Sequence, residues 1–184
     1  MTEQNKLLES QVREIYGRVV YTHKTHEKCS DVLKRRSDQL KLIEIFFSAA
    51  TTTSILVVVF GQGRVFQCIA VACSTILLGI TLYSKDFNLL ALVEKHKIAA
   101  LNILEIREKL LSLLVDIKIG NKEIEQLQQR RDELNEQLVS TYRGAPKTIN
   151  KAYRIASKSL QKSEEFTFSD EEIDKFLPES LRHK

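Results

Sequence analysis

Six side chains that can hold water, or hold one another, lie where the chain carries no charge. Ser48, Thr51 and Thr52 fall in one uncharged run, and Gln67, Ser74 and Thr81 in the next. Spacings of three and four put Gln67, Ala70, Ser74, Leu77 and Thr81 on one stripe of a helix. Ala49, Ala50, Thr53 and Ser54 add further small or polar positions to the first run, and Thr75 with Gly79 forms a small-xxx-small pair suited to close helix approach. In hydrocarbon such groups do one of two things. They bond to their own backbone and glue helices together, or the stripes of several copies line a water-filled path. Two helices cannot enclose a pore, so a path requires self-association.

A second chemistry is written in charge. From Thr141 to Lys162 the chain has six basic residues and no acidic one. Lys147, Lys151, Arg154, Lys158 and Lys162 lie within about 80° of one another on a helical wheel, with Ile149, Ala152, Tyr153, Ala156 and Leu160 opposite. This stripe suits anionic lipid, or a nucleotide or nucleic acid, although no nucleotide-binding motif accompanies it. A solvated face of a packed helix is the plainer reading. The following residues reverse sign, with Glu164, Glu165, Asp170, Glu171, Glu172 and Asp174 against Lys175. Ser169 to Glu172 reads as a capping box ahead of a short helix that Pro178 stops. An acidic tail beside a basic helix points to masking of the stripe or to docking of a partner. A third group, His23, His26 and Cys29, invites a metal. Cys29 rotates off the histidine face and no second cluster completes four ligands, so a polar helix near a membrane surface is expected instead.

These groups need elements to position them. Between Glu44 and Arg64 lie nineteen residues without Asp, Glu, Lys, Arg or His, and twenty more separate Arg64 from Lys85. At about 1.5 Å per residue each run spans roughly 28–30 Å, a bilayer's hydrocarbon core. Only a helix satisfies its own backbone in lipid, so two runs joined at Gly61-Gln62-Gly63-Arg64 predict a transmembrane helical hairpin over 45–84, with spans 45–60 and 65–84 and a turn at 61–64. Buried core helices of a soluble bundle are the alternative. The start, MTEQNKLLES, has no basic-then-apolar signal sequence, so the first span is expected to act as the insertion signal. Lys28, Lys34, Arg35, Arg36, Lys41, Lys85, Lys95 and Lys97 flank the hairpin, whereas the turn has Arg64 alone. The positive-inside rule therefore places both termini in the cytoplasm.

Around the hairpin the period is helical. Residues 1–44 read as an N-terminal cytoplasmic helix carrying Leu7, Leu8, Val12, Ile15, Val19 and Val20, then Val32, Leu33, Leu40 and Ile43 in a second register. Past Lys85 the pattern runs on without a break through Leu89, Val93, His96, Ala100, Ile103, Leu110, Leu113 and Ile117, a seam of coiled-coil type. Gly120-Asn121 predicts a helix end and an N-cap. Ile124, Leu127, Leu134 and Leu138 stripe the next helix to about Tyr142. Thus 85–142 is expected as cytoplasmic coiled-coil helices, serving either an intramolecular bundle or oligomerisation. Pro146 is expected in the first turn of a basic amphipathic helix over 143–162, with 163–184 as an acidic tail.

The whole reads as all-α, a two-span hairpin with a cytoplasmic helical bundle or coiled coil. No nucleophile elbow, P-loop, dinucleotide fingerprint or zinc spacing is present, so neither an enzyme nor a cofactor is indicated. Cys68 and Cys73 lie in the second span and Cys29 outside the spans, which is no disulfide framework.

Tyr16-Gly17-Arg18 and Tyr21-Thr22-His23-Lys24-Thr25-His26, running through Leu40-Lys41-Leu42-Ile43 into two spans, resemble the SLATT family of SMODS- and SLOG-associating two-transmembrane effectors. Tyr142-Arg143-Gly144-Ala145-Pro146-Lys147 and its basic helix are similar to the C-terminal part of one subgroup. The resemblance covers nearly the whole chain through diffuse motifs. It implies an effector of a bacterial antiphage conflict system that oligomerises and opens or disrupts the inner membrane. Such effectors are typically encoded beside a nucleotide synthetase, a nucleotide sensor or a reverse transcriptase, and this chain carries no sensor domain, so a partner or ligand is implied as the trigger. A membrane-anchored coiled-coil scaffold without pore activity is the alternative.

Overall fold

From Glu3 to Phe60 no proline interrupts the chain, and the residues form one continuous helix, α1. The computed structural model describes residues 3–61 and 63–162; the acidic tail, with its expected capping box and short helix, lies outside them. Four more helices follow: α2, Arg64–Phe87; α3, Leu89–Ile119; α4, Ile124–Gly144; and α5, Asn150–Lys162. Among the described residues there is no strand, and the fold is all-α.

The helices distribute over two units. One comprises residues 3–28 and 99–162, where α1, α3 and α4 share a single apolar core. Leu8, Val12, Ile15 and Val19 meet Ile103, Ile106, Leu110, Leu113 and Ile117, and α4 adds Leu127, Leu134 and Leu138. All eight residues of the expected α3 seam are buried, from Leu89 to Ile117. Leu7 is not; it is 68% exposed, one position off the stripe. Truncating a filled position such as Ile103 removes transfer energy and leaves a void, together about 2–5 kcal/mol.

Helix α5 lays small residues inward, burying Ala152, Ala156 and Ser159. Gln161 Nε2 donates to Tyr21 Oη at 2.8 Å, and the Tyr21 and Tyr153 rings lie 6.5 Å apart. Tyr142 Oη donates to Thr22 Oγ1 at 3.3 Å, tying α4 to the same turn of α1.

The other unit, 29–98, holds the hairpin. Its turn closes one residue earlier than expected, since Arg64 already begins α2. A break also separates the second span from the seam. Asn88 sits at φ 20°, ψ 60°, ends α2, and accepts the Ala91 amide on its side chain at 3.1 Å as an N-cap for α3. An asparagine tolerates this backbone because its short amide replaces the missing ladder bond, which periodicity does not report.

Two further boundaries differ. Gly120, at φ 72°, ends α3 as expected, but α4 is entered at Glu123 rather than Asn121. The last helix starts at Asn150, so Pro146 lies in the preceding connection and not in a first turn. The first ladder bond there, Tyr153 N to Ile149 O, places the start four residues later than the proline suggested.

Candidate functional site

Both apolar runs are helical and bare. In the most apolar stretch of α1 only 6% of residues are buried, and in that of α2 none. Phe60 is 86% exposed, and Phe46, Val59, Val65 and Val71 are each near two-thirds exposed. Core helices of a soluble bundle bury such side chains, so that alternative fails. A continuous exposed apolar surface of this extent marks a membrane or protein contact.

Along this hairpin runs one groove of about 670 Å³, lined by Glu44, Ile45, Ser48, Ala49, Thr52, Thr53, Leu77 and Thr81. Three of the six expected polar residues therefore meet: Ser48 and Thr52 from α1, one turn apart, and Thr81 from α2. The other three do not line it. Thr51 is half-buried and bonded to the Phe47 carbonyl at 2.8 Å. Gln67 and Ser74 are exposed elsewhere on α2, and Ser74 Oγ donates to the Val71 carbonyl at 3.0 Å.

Four hydroxyls of the spans, Thr51, Thr52, Ser74 and Thr75, donate to the backbone. Thr52 Oγ1 donates to the Ser48 carbonyl at 3.0 Å, and Thr75 Oγ1 to the Val71 carbonyl at 2.9 Å. A hydroxyl that back-bonds in this way keeps two lone pairs, so what it shows its surroundings is an acceptor. At Gly79 no other helix packs closely among the described residues, because a Cβ added there would find nothing within 4 Å.

Ala49 and Thr53, small and polar members of the first run, line the groove too, and so does Glu44, which an uncharged run excludes by definition. Glu44 was read only as the boundary of the run. The signal was present as a four-residue period, 44-48-52, on one face of α1. Ser84 Oγ donates to Glu44 Oε1 at 3.2 Å across the hairpin. Nearby, Arg36 Nη2 donates to Tyr83 Oη at 2.6 Å, its guanidinium 5.6 Å from that ring's centre, and Tyr83 stacks on Phe87 at 4.5 Å. Arginine and aromatic rings at the end of an apolar span are the composition of a membrane interface.

The expected basic stripe is shorter than its sequence. Lys151, Arg154 and Lys158 are exposed on α5, whereas Lys147 is exposed in the connection before it. Lys162 is the helix's last residue. Tyr153, expected on the apolar side, is 54% exposed with Ile155 at 37%.

The His23–His26 segment is not a solvated polar face. His23, Lys24, Thr25 and His26 are four consecutive buried residues. Lys24 Nζ reaches Glu27 Oε2 at 3.0 Å and His23 Nε2 stands 3.8 Å from Glu27 Oε1. Burial holds the His23 pKa below its ordinary value; Glu27 opposes this, Arg107 and Lys24 add to it, and Glu108 opposes it weakly. Among the described residues no group of three His, Cys, Asp or Glu side chains is placed to hold a metal. None of the three cysteines is in a disulfide, and Cys29 is buried.

Compared with known proteins, residues 8–172 match the family model described as SMODS and SLOG-associating 2TM effector domain family 4. No curated protein and no solved structure matches the chain.

Proposed function

Because the chain belongs to SMODS and SLOG-associating 2TM effector domain family 4, a family of two-transmembrane effectors in conflict systems and not of enzymes, we propose that it acts as a pore. The hairpin 45–84 spans the bacterial inner membrane, both termini lie in the cytoplasm, and copies of the chain associate so that their polar faces enclose water. The trigger is a regulatory partner encoded nearby or a ligand at the helices outside the membrane. The one observation that carries this reading is the groove: Ser48, Thr52, Thr53 and Thr81 stand together on a hairpin that exposes large apolar side chains such as Phe46, Val59, Val65 and Val71 elsewhere. A plain tether gains nothing from such a cluster, and each polar group costs free energy in hydrocarbon.

Self-association has its own support. From Ile103 to Ile117 the α3 seam is consumed in the core, yet α3 carries a second apolar stripe on its opposite face, with Leu101, Leu111, Val115 and Ile119 between 43% and 65% exposed. This stripe, not the predicted seam, is the surface we assign to contact between copies. The exposed cations Lys151, Arg154 and Lys158 are assigned to an anionic leaflet or anionic activator.

The test is dye leakage from liposomes holding the purified full-length chain. Thr52→Leu and Thr81→Leu lower the cost of hydrocarbon burial, so both insert, and leakage is lost. Gln67→Leu, outside the groove, leaves it. Inserted groove variants as leaky as the parent refute the pore. One observation favours the scaffold reading instead, namely that Thr51, Thr52, Ser74 and Thr75 bond to their own backbone. A scaffold gives no leakage from the parent under any trigger.

A further inference from the structure

We infer that Glu44 makes the path selective for cations, its carboxylate standing at the head of the groove that Ser48, Thr52 and Thr81 line. The inference rests on the pore reading and adds to it the charge class of the permeating ion.

Three observations converge on it. Glu44, Ser48 and Thr52 repeat at four-residue steps on α1, so the carboxylate continues the hydroxyl stripe by one turn. Within the stripe Thr52 presents an acceptor, because its proton is committed to the Ser48 carbonyl, which has none to give back. Lone pairs and a carboxylate attract cations and repel anions. Finally, Glu44 is positioned yet not neutralised. Ser84 Oγ holds Oε1 at 3.2 Å, and no ion pair to Glu44 forms among the described residues.

The neighbouring cations are the competing term. Lys34 is paired with Asp38 at 2.8 Å, and Arg36 is engaged with Tyr83. Lys41 is the basic residue closest along the helix, and it lines a smaller adjoining cavity of about 130 Å³ with Glu44 and Ser84. Its side chain is exposed, and a lysine stem carries its ammonium out towards water. Glu44 lies in the groove itself, where apolar walls such as Ile45 and Leu77 focus its field. Each added copy brings one more carboxylate, so association builds a ring of negative charge at one level.

The experiment is the K⁺/Cl⁻ permeability ratio of the full-length protein in planar bilayers under a KCl gradient. The parent favours K⁺. Glu44→Gln lowers the ratio by about tenfold, the low end of what a focused field contributes to local ion concentration. Lys41→Gln does not lower it. Should Glu44→Gln fail to conduct, Glu44→Cys decides the matter in a background with Cys29→Ala, Cys68→Ala and Cys73→Ala. Coupling a sulfonate-bearing thiol reagent restores K⁺ preference in channels already open, and an ammonium-bearing reagent inverts it. A conducting parent whose ratio is unmoved by both Glu44 substitution and the reagents overturns the inference alone. A parent that carries no current overturns the pore reading and this inference with it.

Discussion

The charge on α5 permits a prediction with a magnitude. Lys151, Arg154 and Lys158 are exposed on one helix, and each basic residue at an anionic leaflet contributes about 1 kcal/mol. The three together supply about 3 kcal/mol, which corresponds to roughly a hundredfold in membrane-bound population. Reading all five sequence cations as one face would raise this to about 5 kcal/mol, but Lys147 lies off the helix. Lys151→Glu with Lys158→Glu removes two attractions and adds two repulsions, a change of about 4 kcal/mol, enough to reverse the balance. The assay is leakage from vesicles holding the full-length protein, with and without anionic lipid, at 0.15 M and 1 M salt. The double reversal lowers leakage in anionic vesicles at low salt. The effect shrinks at 1 M, where the Debye length falls to about 3 Å. Truncation after Lys162, which removes the acidic residues from Glu164 onward, raises leakage under the same conditions. A double reversal that acts equally in neutral vesicles or in 1 M salt refutes the electrostatic account. So does a truncation without effect.

Three other outcomes are expected. In intact cells whose native cysteines are replaced, an impermeant maleimide labels a single cysteine at Gln62 and spares one at Ser180; the reverse pattern inverts the topology. Ile103→Ala, at a fully buried position, costs about 2–5 kcal/mol in denaturant unfolding, whereas Leu101→Ala, 65% exposed, costs under about 1 kcal/mol. His23 has a folded pKa below its ordinary value of 6.5 through burial, with Lys24, Glu27, Arg107 and Glu108 around it. Its contribution is fully present above pH 6.5 and is lost as pH falls from there through the depressed value, because the unfolded chain then binds the proton more readily. His23→Gln flattens that acid limb in a melting-temperature titration, and an unchanged limb assigns it elsewhere.

The sequence alone determined the properties that are local. Forty positions with one interior charge, Arg64, specify two lipid-length helices because span length and solvation act residue by residue. The α3 and α4 stripes were readable for a similar reason: a helix presents every third or fourth residue to the same side, whatever covers it. The Glu44-Ser48-Thr52 period was equally local, and was missed only because a run defined by absence of charge excludes its most informative member. What the tertiary structure decided concerns partners distant in the chain. Whether the seam serves a bundle or a second copy depends on whether α1 and α4 reach it, and they do so at Ile103, Leu110, Leu113 and Ile117. Whether Thr81 joins Ser48 and Thr52 depends on the register between α1 and α2, which neither helix's own pattern reports. The burial of His23 to His26 is clearest of all. Four consecutive residues point around the whole circumference of a helix, so no face-based pattern can mark all of them as interior. They are covered because α3 brings Arg107 beside His23, α4 brings Tyr142 to Thr22, and α5 brings Tyr153 and Gln161 to Tyr21, contacts that span up to 140 residues.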